Sequence, residues 1–203
     1  ARPDLAGAIQ ISELAINTPD WPVALQAGHG ALRLADDRMD VTAFEASVGG
    51  GTLTLSGGLN LGAAPRFNLA LAARSIRFRL PPSLRDTVNA DLVFSGTPQQ
   101  ALLSGRAQVL QVMPVPGFDF AALATDLSTQ AVTLASPDSF LRNLRLEVAV
   151  TTPNQLALTS RDFSLRANAS LNLCCTGYAP VLLGRVDVTS GDLIFRGNRY
   201  VLQ

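Results

Sequence analysis

Lysine is absent from this chain: all 16 basic residues are arginine, and they are balanced by 16 acidic ones. A net charge of zero removes the attraction that binding to a phosphate backbone requires, so nucleic acid is a poor partner. Without lysine there is no P-loop either. Gly28-His29-Gly30 and Gly49-Gly50-Gly51 also lack the strand–helix context of a nucleotide loop. The single histidine, His29, has no visible partner for acid–base or metal chemistry and reads as a turn residue. The only cysteines, Cys174 and Cys175, are too few for a disulfide framework, and a bond between neighbours is strained. They also lack CxxC spacing and a nearby histidine for a metal. Aromatic residues make up only 6% of the chain, against 47% hydrophobic, so the apolar mass is Leu, Ala and Val. That composition makes a smooth aliphatic surface rather than an aromatic protein-binding hot spot. No apolar run reaches about 18 residues, so no helix of this chain is expected to span a bilayer. No signal peptide is visible. Ala1-Arg2-Pro3-Asp4 does not look like a native start, and Tyr200-Val201-Leu202-Gln203 stops in mid-alternation. The chain therefore reads as a fragment, and its lack of targeting signals carries no information about the parent.

Motifs for chemistry are equally scarce. Asp36, Asp37 and Asp40 lack the ligand spacing and glycine of a calcium loop and read as a solvated hairpin. Asn168-Ala169-Ser170 matches a glycosylation sequon but lies inside a strand rather than a loop. Serines are plentiful, yet no Gly-x-Ser-x-Gly elbow is present. Neither an enzyme, nor a cofactor, nor a metal site is expected.

What the chain does have is alternation. From Phe163 to Leu173 every second residue is apolar: Phe163, Leu165, Ala167, Ala169, Leu171 and Leu173 on one side, Ser164, Arg166, Asn168, Ser170 and Asn172 on the other. A period of two marks a β-strand with one greasy and one wet face. Similar runs recur. Ile9, Ile11, Leu14 and Ile16 need one slip, placed at a bulge near Glu13. Leu32 and Leu34 lead into the Asp36-Asp37 turn. Val41 and Ala43 are followed by Ala46 and Val48. Then come Leu53, Leu55, Leu59 and Leu61; Phe67, Leu69 and Leu71; Ile76, Phe78 and Leu80; Leu92 and Phe94; Val132 and Leu134; Leu144, Leu146, Val148 and Val150; Leu156 and Leu158; Val181 to Val188; Leu193 and Phe195; Tyr200 and Leu202. Cys175 continues the inward row after Leu173, while Cys174 faces the wet side and is available for pairing between chains. Ala101 to Val112 is apolar but irregular. Helical periodicity is confined to Phe118–Ser128, with short turns at Pro137–Leu141 and after Pro81-Pro82 as far as Val88.

These runs sum to about 14 to 16 strands separated by turn residues, the rhythm of an all-β protein. Met113-Pro114-Val115-Pro116-Gly117 is short and apolar for a linker between two sandwiches. A single long meander over residues 1–203 fits the even spacing better. Stacked about 4.8 Å apart, so many strands form a sheet that must twist, curl or close. Its greasy face must meet itself, a partner or lipid.

The last segment is more specific. Leu171-Asn172-Leu173 leads through Thr176-Gly177 to Pro180-Val181-Leu182-Leu183-Gly184-Arg185-Val186. Ser190-Gly191-Asp192-Leu193-Ile194-Phe195 and Arg196-Gly197-Asn198-Arg199-Tyr200 follow. This order of strand, Gly-Thr, Pro-x-Leu-x-Gly, strand, Gly, strand and Gly-x-x-Tyr resembles the C-terminal domain of the translocation and assembly module subunit TamB family. Gly51-Thr52-Leu53-Thr54-Leu55-Ser56-Gly57 and Ala90-Asp91-Leu92-Val93-Phe94-Ser95-Gly96 are similar to its recurring aliphatic strand ending in glycine. Cys174-Cys175-Thr176-Gly177 departs from the family's Gly-Thr and puts the local turn in question.

The resemblance implies an elongated β-sheet curled into a trough (a "β-taco") with an apolar concave face. It also implies a periplasmic protein whose parent is anchored in the inner membrane of a diderm bacterium, working with a TamA-like outer-membrane barrel partner. The expected function is a non-enzymatic conduit in which phospholipid acyl chains travel along the apolar groove. Its lining is expected from Leu53, Leu55, Leu59, Leu61, Leu69, Leu71, Phe78, Leu92, Phe94, Leu144, Leu146, Val148, Leu156, Leu158, Phe163, Leu165, Leu171, Leu173, Leu193 and Phe195. Two alternatives stand beside it: a chaperone that holds outer-membrane barrel strands on its β-edges, and a closed β-spacer with a dry interior.

Overall fold

The computed structural model describes residues 6–17, 23–79, 83–115, 118, 140–159, 163–195 and 198–202, with the backbone alone at 193–195 and 198. Twelve strands form one large curled sheet. They are β1 (Ala6–Ile16), β2 (Leu25–Ala35), β3 (Arg38–Val48), β4 (Gly51–Asn60), β5 (Arg66–Phe78) and β6 (Leu84–Thr97). β7 (Gln100–Pro114), β8 (Leu144–Thr151), β9 (Leu156–Thr159), β10 (Phe163–Thr176), β11 (Pro180–Phe195) and β12 (Asn198–Leu202) complete it. Phe140–Arg142 is one turn of 3-10 helix. The all-β class expected from the alternation is what the chain forms.

β1 to β7 run as a meander of antiparallel neighbours. Tight turns punctuate it. Between β3 and β4, Gly49 and Gly50 have φ of 56° and 75°, the left-handed pair that two-residue hairpins demand. The meander then breaks. β7 pairs β8 in parallel, Ala101 opposite Leu144 and Gln108 opposite Thr151, so β8 starts at the end where β7 began. The expected uninterrupted meander is corrected here. β8 and β9 both lie along β10, facing Ser170–Thr176 and Ser164–Ala167 respectively. Pro153, which has no N–H for the ladder, lies in the gap between them. At that gap Thr152 Oγ1 accepts the Ala169 N–H at 3.0 Å and keeps β10 satisfied.

Among the described residues the strands number twelve rather than the expected 14 to 16, because bulges join runs that read as separate; the Val132 and Leu134 run lies outside the described residues. Val41 and Val48 belong to one strand, with a register shift between Val41 and Phe44. Phe67 and Phe78 likewise share β5, whose register shifts between Ala73 and Ile76. β7 absorbs its irregularity in a shift opposite Thr87 and Val88. β1 shows a register shift between Ile11 and Leu14, where one slip was expected, and a second between Leu14 and Ile16. Two local readings change. His29 is not in a turn; it lies inside β2, opposite Glu45. The segment before Val88 is not helical, because β6 already starts at Leu84. Phe140–Arg142 supplies the short turn near Leu141, while Phe118–Ser128 lies outside the described residues except for Phe118.

Candidate functional site

Residues directly opposite one another across a ladder share a face, so the registers assemble the apolar positions into rows. One row runs Val41, Gly57, Leu69, Phe94, Leu103, Leu146, Cys175. The next runs Phe44, Leu55, Leu71, Leu92, Gly105, Val148, Leu173, Leu182 across eight strands. A third runs Ala46, Leu53, Ala73, Ala90, Ala107, Val150, Leu171. Leu59 and Phe67 sit opposite each other beyond the first row. The same face carries Leu144 opposite Ala101, and Phe78 opposite Asp86. Leu165 opposes Leu158, and Phe163 lies two residues before it in β10. Leu156 opposes Ala167.

Most of these side chains are half-buried. Leu144, Leu146, Val148 and Phe163 are buried; Leu53, Leu55, Leu59, Leu69, Leu71, Phe78, Leu92, Phe94, Leu156, Leu158, Leu165, Leu171 and Leu173 are not. Among the described residues no large side chain is fully buried. A closed core would bury several. Leu61 is placed apart: it follows the end of β4 and is 49% exposed. Leu193 and Phe195 are described by backbone alone, in β11, and their side chains lie outside the described residues.

Four features were not legible from alternation. Phe44, not Ala43, faces inward, because the bulge after Val41 reverses the parity; Phe44 is buried and Ala43 exposed. Ala101 and Val112 are buried members of the irregular β7 run. Asp86, 7% exposed, is an acid of apolar parity between Phe78 and Val112. Glycines bend the strands: Gly57, Gly96, Gly105 and Gly184 hold φ between 122° and 144°, open only to residues without a Cβ. At Gly105 a Cβ would stand 2.2 Å from the Asp91 carbonyl oxygen. Glycine inside a strand marks a tight bend, and these four fall on the apolar rows of a sheet that curls.

The aromatic rings gather near the ends of the strands. Phe67 stacks on Phe94 at 4.4 Å, and Phe140 meets Phe94 edge-on at 6.0 Å. At the other end Phe118 packs on Phe163 at 5.6 Å. Thus the chain touches the apolar face as it leaves β7 and again as it enters β8. Between these clusters the lining is almost wholly aliphatic.

The opposite face is wet and charge-paired. Arg38 Nε donates to Asp40 at 2.8 Å, and Arg74 pairs with Asp91 across β5 and β6. Arg145–Glu147 and Arg185–Asp187 pair along their own strands at 3.7 and 3.4 Å. Asp192 holds the Arg199 guanidinium above its usual range, by its hydrogen bond first and its charge second. A hollow of about 1020 Å³ opens among Arg38, Asp40, Asn60, Arg66, Asn68 and Gln100, and its lining also includes Val41, Leu59 and Phe67 of the apolar positions.

The two cysteines follow the expected parity only in register. Cys175 opposes Leu146 and Pro180, in the apolar row, but with φ of 79° and an exposed side chain. Its Sγ lies 2.9 Å from that of Cys174.

Comparison with known proteins adds one match. Neither the curated proteins nor the solved structures yield one. The family model of the TamB C-terminal domain matches residues 41–203, from the middle of β3 through β12. A match over most of the chain, on a curled all-β sheet, makes this protein a member of the TamB C-terminal domain family, a component of the envelope's translocation and assembly module.

Proposed function

We propose that this domain is a non-enzymatic conduit that carries phospholipid acyl chains between the inner and outer membranes along its apolar face. The observation that carries the reading is the run of half-buried aliphatic rows across the sheet, continuous from Phe44 on β3 to Leu173 on β10. Moving a 16-carbon acyl chain through water costs about 13 kcal/mol, at about 0.8 kcal/mol per CH₂. A surface of Leu, Val and Ala replaces that water at each step, and the lack of directed polar groups lets the chain slide rather than lodge. In this scheme no residue performs chemistry, and the lining named above acts collectively. The parent sits in the periplasm, anchored in the inner membrane, and hands lipid to a TamA-like barrel.

Native mass spectrometry tests the proposal, using vesicles of phosphatidylethanolamine and phosphatidylglycerol as lipid source. Wild type is expected to carry phospholipid. Leu71→Asp, on the apolar side of β5, is expected to lose it, because a charge desolvated among acyl chains costs several kcal/mol. Asn68→Asp, on the wet side of the same strand, is expected to keep it. Equal binding by all three proteins, or by none, rejects the conduit.

A second reading has its own observation. Among the described residues, Pro180–Ser190 of β11 pair only with β10, and β12 covers just Gly191–Phe195. Leu182, Leu183, Val186 and Val188 there are 49–57% exposed. Such an edge is a template for a client strand, as a chaperone of outer-membrane barrels would need. Leu183→Lys, on the wet side of that edge opposite Asn172, should block capture of a barrel-strand peptide in that case and leave lipid binding unchanged.

A further inference from the structure

Among the described residues, the Cys174–Cys175 pair brings two reactive side chains together at the end of the first apolar row. Three observations set it apart from two buried thiols. The Sγ atoms are 2.9 Å apart, about 0.9 Å longer than an S–S bond of about 2.04 Å. Cys175 holds φ of 79°, a left-handed conformation that a cysteine gains nothing from in a plain strand. Cys175 is also exposed, so a small molecule can reach it. The pair sits at the end of β10, and the chain leaves it at once through a tied-down turn. There the Gly177 N–H donates to the Leu144 carbonyl at 2.8 Å, and the Tyr178 N–H donates to the Leu141 carbonyl at 3.0 Å. The two sulfurs thus stand close together beside a turn whose backbone is held in place.

We propose that Cys174 and Cys175 form a vicinal dithiol site, which a small disulfide-type oxidant closes into a reversible ring within one chain. The chemistry is two thiol–disulfide exchanges. The exposed Cys175 gives its proton to solvent and its thiolate attacks one sulfur of the oxidant RS–SR. The S–S bond of the oxidant breaks, one RS⁻ leaves and takes up a proton, and Cys175 carries the mixed disulfide. Cys174 then gives up its proton, and its thiolate attacks the Cys175 Sγ. The second RS⁻ leaves and is protonated. Two electrons and two protons pass from the protein to the oxidant, giving a Cys174–Cys175 disulfide and two RSH. The order follows from exposure, and the thiol of Cys174 is raised above its ordinary value, first by its hydrogen bond with Cys175, then by burial and charge. Neighbouring Cα atoms lie about 3.8 Å apart, shorter than the usual bridged spacing of about 4.4–6.8 Å, so the ring is strained and readily reopened by thiols.

Glutathione disulfide is the probe, with the whole chain at low concentration and intact mass and maleimide labelling as readouts. Wild type is expected to end as a monomer lighter by two hydrogens. It should take no maleimide, and dithiothreitol should restore labelling at both cysteines. Cys174→Ser is expected to stop at the mixed disulfide, since it lacks the second thiol, with its circular dichroism spectrum unchanged. A wild type that keeps both thiols reactive, stays glutathionylated, or becomes a disulfide-linked dimer overturns the proposal. If Cys174→Ser does not fold, the wild-type mass and labelling decide alone.

Discussion

Gly105 shows how a single residue shapes the apolar face. It stands in the row between Leu92 and Val148, with φ of 141°, and the Asp91 carbonyl fills the space of its missing Cβ. Gly105→Ala must either force an L-residue into mirror-image β space or straighten the strand. The expected cost is about 1–3 kcal/mol, read as a lower urea midpoint with an unchanged slope. Gly7, on β1, is the control, because a Cβ there meets nothing within 4 Å. Gly7→Ala should change stability by less than about 1 kcal/mol in either direction. Equal midpoints for the two variants would mean that Gly105 is not a bend. The sequence announces glycine at both places without telling them apart. The difference lies in a neighbouring backbone carbonyl, which no single-chain pattern contains.

At the scale of the element, alternation holds along a strand until a bulge resets it, and this decides what could be read in advance. In β10 the rule predicts Phe163, Leu165, Leu171 and Leu173 on one side, with Arg166 and Asn172 in water. The four apolar residues are at least half-buried and the two polar ones exposed. In β3 the rule fails after Val41, and Phe44 was missed, because the extra residue of a bulge moves every later side chain to the other face. The parallel β7–β8 pair was illegible for another reason: antiparallel and parallel partners show the same period, and only the long return of 115–143 separates them. Bulges also leave local strain that can be measured. The register of β2 shifts between Gln26 and His29, and Ala27 in between holds φ of 51°. An alanine there bears a left-handed cost of about 1–2 kcal/mol, against the extra backbone entropy of glycine of about 0.5–1 kcal/mol. Ala27→Gly is therefore expected to raise stability by up to about 1.5 kcal/mol in chemical denaturation. A loss of stability would show that Ala27 is not left-handed in solution.

The whole molecule is a sheet with two chemically different sides. Eleven strands lie side by side, a span of about 48 Å at about 4.8 Å per step. One side carries the aliphatic rows; the other carries arginines paired with carboxylates, which hold it in water without net charge. Exposed pairs of this kind add little stability. Their effect is on wetting: an acyl chain has no reason to leave the greasy side for a charged one. This polarity by parity gives the conduit a consequence that neither a spacer nor an edge-binding chaperone shares. A photo-reactive amino acid at Leu146 or Leu165 should capture phospholipid in cells or in vesicles, while one at the adjacent Arg145 or Arg166 should not. The two positions of each pair are neighbours in sequence and point to opposite faces. Non-specific adhesion to membranes would label both parities alike, and a dry, self-filled interior would label neither. A chaperone acting through its edge would instead yield protein adducts along β11. Phospholipid adducts at Leu146 and Leu165 alone separate transport along the groove from all three.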